Sequence, residues 1–196
     1  EYANNAFANA QISANDYLDQ AVKFGAALVQ GLGGDTSKAA HYANMAIEDM
    51  ADNANKMGTS ITSIQNAYQG FAKNTYTMLD NLRLGYGGTA AEMARLVNDS
   101  KVLGDEIKVD AKTVSAVPFD KIIQAIHIIQ TEIGMTGTSA QEAMTTVQGS
   151  LNMTKAAFTN FVTGLADPKA DLSKLLTNLI ESATTALTNL VPVIQR

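Results

Sequence analysis

Apolar residues recur every three or four positions along most of the chain, and short glycine-, serine- or threonine-bearing breaks divide the recurrence into segments. Between Met45 and Ser100 the segments are brief. Ala43, Ile47, Met50, Ala54 and Met57 fall on one helical face, with Gly58 suited to a left-handed stop and Thr59 or Ser60 to a new start. Ile61, Ile64, Tyr68 and Phe71 make a second stripe, and Met78, Leu79 and Leu82 a third, closed by Gly85. Thr89-Ala-Ala-Glu92 reads as a capping box, followed by Met93, Leu96 and Val97.

Upstream, Phe7, Ala10, Ala14, Tyr17, Ala21, Phe24 and Leu28 step alternately by three and four. Such a heptad seam suits either a long antiparallel helix inside a bundle or a self-associating coiled coil, and would run for roughly 30 Å. Gly31-Leu-Gly-Gly34 ends it, and Asp35, Thr36 or Ser37 caps the next helix. Downstream, Asp99 to Pro118 lacks a helical period, with Ile107–Val109 as a short extended candidate. Pro118 opens a strongly apolar helix carrying Phe119, Ile122, Ile126, Ile129 and Ile133, whose breadth predicts the core. Thr138 or Ser139 begins the next helix, with Ser139-Ala-Gln-Glu142 as a second capping box, and Gly149-Ser150 is expected to break that helix. Asp167-Pro168 is expected to cap a last helix, with Leu172, Leu176, Leu179, Ala183, Leu187, Leu190 and Ile194 in register.

These patterns predict an all-α fold: a multi-helix domain of short amphipathic helices with longer helices at both ends. The expected division is an N-terminal long helix over 1–34, a compact helical domain over 35–167 and a C-terminal amphipathic helix over 168–196. The glycines at Gly58, Gly85, Gly87 and Gly88 are candidate hinges or tight corners, and Phe7, Tyr17, Phe24 and Leu28 are the candidate helix-association seam.

Composition narrows the function classes. A net charge of −5, with 14 basic residues scattered, argues against a nucleic-acid site, which needs clustered Lys and Arg. Zero cysteines exclude disulfides, Zn–thiolate sites and a thiol nucleophile. No run reaches the ~18–20 apolar residues of a membrane span. The two glycine clusters lack the Gly-Lys-Ser/Thr ending of a phosphate loop, and the acidic residues near Asp105 and Asp110 lack calcium-loop spacing. His41 and His127 belong to no metal motif, and His127 among isoleucines reads as a hydrogen-bonded core histidine. Glu48-Asp49 and Asp105-Glu106 are adjacent, so their side chains diverge on a helix and make poor acid–base pairs. Most of the eight methionines fall on apolar stripes as core filler. The expectation is a non-enzyme with no catalytic residues, no cofactor and no metal.

The wording of the chain adds to this. ADNANKMG, IQNAYQGFAKNTYTMLDNLRLGYGGT and EMARL, together with AIHIIQTEIGMTGTSAQEAMTTVQGSLNMTKAAFTNFVTGLADPKADL from Ala125 to Leu172, resemble the tail tape-measure proteins of long-tailed phages and prophages. The resemblance covers Met45 to Leu172. It implies a structural component of the virion, made in the bacterial host cytoplasm and held in the tail lumen, that acts in tail assembly and tail-length determination, with a role in genome delivery. The partners it implies are further copies of the chain, the tail tube protein, tail-assembly chaperones and the tip complex. The opening at Glu1 and the close at Arg196 read as an excerpt of a longer protein. The frequent glycine breaks depart from a pure ruler and suggest a folded module beside one. Two alternatives stand: an exported helical filament or secretion-apparatus component of flagellin type, and a helical module of a cell-wall-active enzyme.

Overall fold

The computed structural model describes residues 2–195, so Glu1 and Arg196, on which the excerpt reading rests, lie outside the described residues. Those described are helical and contain no strand. The helices are α1 Tyr2–Asn9, α2 Ala14–Gly31, α3 Thr36–Met57, α4 Ile61–Phe71, α5 Ala90–Asp99, α6 Phe119–Glu132, α7 Thr138–Thr145, α8 Val147–Gly164 and α9 Leu172–Ile194. Single 3-10 turns occupy Leu79–Leu82 and Val114–Ala116. The chain forms two compact units, one of residues 20–136 and one of residues 2–19 with 137–195. The division therefore falls at 19/20 and 136/137, not at 34/35 and 167/168.

The N-terminal pattern is not one helix. It breaks at Ala10–Ser13, where Gln11 takes φ 57°. Ser13 restarts the chain as α2: its hydroxyl accepts from the Asp16 N–H (3.2 Å) and donates to the Asp16 carboxylate (2.7 Å). The first of these bonds satisfies an N–H that the first helical turn leaves bare. Of the predicted seam, Tyr17, Phe24 and Leu28 are buried and Phe7 is half-buried.

In the unit of residues 20–136, α3 packs on α4 and α6, and α5 packs on α6. Ile47, Met50, Ile64, Tyr68, Leu82, Met93 and Leu96 are fully buried, as are Ile122, Ile123 and Ile126 of α6. Ile129 is buried too, whereas Ile133 at the end of that stripe is exposed. Phe24 meets Phe119 edge-on at 6.1 Å. The Met78–Leu82 pattern makes a 3-10 turn, not an α-helix, and Asn53 ties it down by donating to Leu82 O at 2.8 Å. Ile107–Val109 is no strand; Val109 instead exchanges two hydrogen bonds with the Asn98 amide, at 2.8 and 3.0 Å.

In the other unit, α1 packs on α7 and α8, and α8 forms a hairpin with α9. Two predicted boundaries move here, and one expected cap does not form. α7 begins at Thr138, one of the two expected starts, after Gly137 (φ 84°), so Ser139 lies inside the helix and does not cap it. The break into α8 falls at Thr146, whose hydroxyl accepts from Gly149 N at 2.9 Å; Gly149 and Ser150 are both helical. Gly149 is needed there because a Cβ would overlap the Glu142 carbonyl of α7. Finally, Asp171 rather than Asp167 caps α9, accepting from Lys174 N at 3.0 Å, and Pro168 sits in the preceding turn. Asn189 of α9 donates to the carbonyls of Met144, at the end of α7, and of Thr146, the N-cap of α8, at 3.1 Å each.

Candidate functional site

A strongly perturbed buried carboxyl lies in the unit of residues 20–136. Asp49 projects from α3 into the core with 1% of its side chain exposed, and its Oδ1 lies 2.8 Å from Nδ1 of His127 on α6. With the ring proton on Nδ1, the imidazole donates to the carboxylate. Burial pushes the Asp49 carboxyl up to about 6, and the hydrogen bond and charge of His127 reverse only part of that. The same bond raises His127 above its ordinary value, against a smaller opposing effect of burial. Glu48, Asp52 and Tyr68 are the other ionisable groups that feel this pair: the first two favour protonation of both partners, and the Asp49 charge adds to burial in holding the Tyr68 phenol protonated.

The core around these helices is unusually polar. Asp52, Asn53 and Gln130 are buried with Asp49. Asp49 Oδ2, Asn53 Oδ1, Tyr68 Oη and both polar side-chain atoms of Gln130 have no hydrogen-bond partner among the described residues. Such atoms cost about 1–3 kcal/mol each. A carboxylate that orients an imidazole is the supporting half of many general-base systems. Here the pair can take up and release a proton and tie α3 to α6.

No group of three or more His, Asp or Glu among the described residues could hold a metal ion. His127 was recognisable as a hydrogen-bonded histidine of an apolar helix, but its partner was not, because Asp49 lies 78 positions away. His41 packs edge-on against Tyr42 at 5.3 Å and is exposed.

The candidate hinge glycines occupy two kinds of place. Gly58 closes α3 at φ 63°. Gly85, at φ 83°, opens a corner held by α5: Arg95 donates to Gly85 O at 2.7 Å and lies 4.1 Å over the Tyr86 ring. Tyr86 donates to Asp99 at 2.9 Å, and Gly87 N donates to Glu92 at 3.0 Å. Thr89 accepts from Glu92 N at 3.2 Å, so the capping residues operate with Gly87, not Thr89, as the backbone donor to Glu92. Gly88 has no room for a side chain, since a Cβ would overlap Thr77 O.

The methionines divide likewise: Met50, Met93, Met135 and Met153 are buried, while Met78 and Met144 are exposed.

Within the unit of residues 2–19 and 137–195, two features face solvent. A cleft of about 380 Å³ is lined by Asn15, Asn160, Asp171 and Lys174 among others. Its walls are already engaged, with Asn160 accepting from Ala14 N at 2.8 Å and Asp171 capping α9. The second feature is apolar. Leu151, Phe158 and Val162 of α8 and Leu165 just after it are exposed, as are Leu172, Leu176, Ile180, Leu187, Val191 and Ile194 of α9. The residues that α9 does bury are small, Ser182 and Ala186.

No helix among the described residues is long and apolar enough to cross a membrane. No family model, curated protein or solved structure matches the chain.

Proposed function

We propose that the chain is a folded segment of a phage tail tape-measure protein, acting in tail assembly and tail-length determination. One observation carries this reading: the resemblance in wording from Met45 to Leu172, which runs through both compact units. The role is mechanical. A protein held in the tail lumen during assembly sets where the tube stops growing and leaves ahead of the DNA. The exposed apolar surface on α8 and α9 supports the reading, because contiguous apolar patches mark interaction sites. Further copies of the chain, the tube protein, assembly chaperones and the tip complex are the partners proposed.

The test is genetic. Codons for residues 45–172 are deleted in frame, and separately duplicated, in the genome that carries them. Electron microscopy of the particles then measures tail length, and mass spectrometry of purified tails looks for the chain. Absent tails or a changed length distribution, with the chain present in wild-type tails, is the expected result. Normal tails that never contain the chain overturn the proposal, as would filaments formed by the purified chain alone.

A further inference from the structure

We propose that two copies of the chain pair through the exposed apolar side of α9, antiparallel about a two-fold axis at Ala183–Thr184. The inference rests on the surface of α9 and not on the tail reading.

The stripe is a leftover face. α9 lies on α8 with the side that carries Ser182 and Ala186. At ~100° per residue, Leu172, Leu176, Ile180, Leu187, Val191 and Ile194 all fall within about 100° of arc, centred roughly 110° round from that side. They are large aliphatic residues, yet Leu172 is 40% exposed, Ile180 57%, Leu187 64% and Ile194 73%, whereas Leu175, Leu179 and Leu190 of the same helix are half-buried and Val193 is exposed beside the stripe. A soluble helix ordinarily buries such a face, and here it is the small residues that are inside.

Three observations commit the stripe to a second copy. The first is area. The six side chains leave on the order of 600 Å² of apolar-residue surface in water, most of the ~800 Å² per partner that a standard interface buries before flanking residues are added. The second is symmetry. The stripe reads nearly the same from both ends: an antiparallel partner sets Leu172 against Ile194, Leu176 against Val191 and Ile180 against Leu187, with Ala183 and Thr184 at the crossing. Large residues meet large ones, and the small pair lets the helices approach where they cross. An isologous interface demands such self-complementarity. Antiparallel pairing also opposes the positive end of one helix dipole to the negative end of the other.

The third is charge. α9 carries only Lys174 and Glu181, and helical spacing puts both on the side away from the stripe, so neither is desolvated. That distribution lacks the basic polar face of a helix built to lie on a membrane surface.

Sedimentation velocity of the full chain over a concentration series reads the association directly. The expected result is a species of twice 20.7 kDa that dissociates on dilution. Ile180→Glu with Leu187→Glu should abolish the dimer while helical circular dichroism and melting temperature hold, since both side chains are exposed in the single chain. Should that variant misfold, cysteine cross-linking decides, helped by a parent with no cysteine. Thr184→Cys should cross-link to itself on oxidation. Leu172→Cys should fail to do so alone and succeed when mixed with Ile194→Cys. A chain that stays monomeric throughout, or Leu172→Cys cross-linking to itself, overturns the proposal. So does binding to neutral phosphatidylcholine vesicles by a monomer whose binding the charged variant abolishes. Normal tails in the genetic test would leave this outcome untouched.

Discussion

Asp49 and His127, 78 positions apart, share a 2.8 Å hydrogen bond across the α3–α6 interface, and both hold their protons more tightly in the fold than in water. The consequence for stability has a definite sign. Asp49 rises from 3.8 to about 6, so its contribution is complete below pH 4 and is lost as pH climbs through 6. His127 is also raised, so its contribution too is lost as pH rises, through its elevated value. The folded chain therefore binds more protons than the unfolded chain over this window, and stability falls as pH rises above about 5, first through 6 with Asp49 and then through the elevated value of His127. A difference of one bound proton is a slope of at most about 1.4 kcal/mol per pH unit. The carboxyls of Asp35, Glu92 and Asp110 are lowered and titrate below this window. Urea denaturation at several pH values checks the slope, and Asp49→Asn should flatten it. Stability that rises across the window would contradict the assignment.

Ile126 is fully buried in α6, whereas Ile133, two turns on, is 48% exposed. Ile126→Ala should cost about 2–5 kcal/mol through lost burial and the cavity left behind. Ile133→Ala should stay near the ~0.5 kcal/mol of surface changes. Equal losses in the two variants, measured by chemical denaturation, would place the core elsewhere.

Gly87 and Gly88 are neighbours with opposite tolerance. A Cβ on Gly87 would rest in ordinary contact, 3.5 Å from Glu92 Cγ, and its φ is not left-handed. One on Gly88 would overlap the Thr77 carbonyl, a backbone atom that cannot swing away. Gly88→Ala should therefore destabilise by about 1–3 kcal/mol, as overpacking does, and Gly87→Ala by less than about 0.5 kcal/mol. Thermal melts of the two variants make the comparison.

Asn98 stands in for a strand partner of Val109, accepting from its N–H and donating to its carbonyl. Asn98→Ala removes both bonds and should cost about 1–3 kcal/mol, at ~0.5–1.5 kcal/mol per hydrogen bond. Amide exchange at Val109 should accelerate in the variant. Unchanged protection there would mean that the loop around it is held by other contacts.

Where a helix lies was legible from local pattern, because a three-four apolar period needs only the residues within a few turns. The α6 stripe shows this best: Ile122, Ile126 and Ile129 are buried as their spacing requires. Boundaries were less legible where two signals competed. Ser13-Ala-Asn-Asp16 is a capping signal that cuts the heptad seam into α1 and α2, yet the seam's regular spacing runs straight through it. At Gly149-Ser150 the small residues marked close approach by α7, not the end of a helix.

The amino-acid sequence by itself determined that this chain is helical and where most helices lie, since periodicity, caps and left-handed glycines act within a few residues. Only the tertiary structure decided what each face meets. Asp49 finds His127 because α3 packs on α6, and no local rule links positions 78 apart. The same holds for α9, whose most apolar stripe stands in solvent while Ser182 and Ala186 are inside. A period says that a helix has an apolar side; which side is covered depends on the packing geometry of α8, where small residues allow the closer approach.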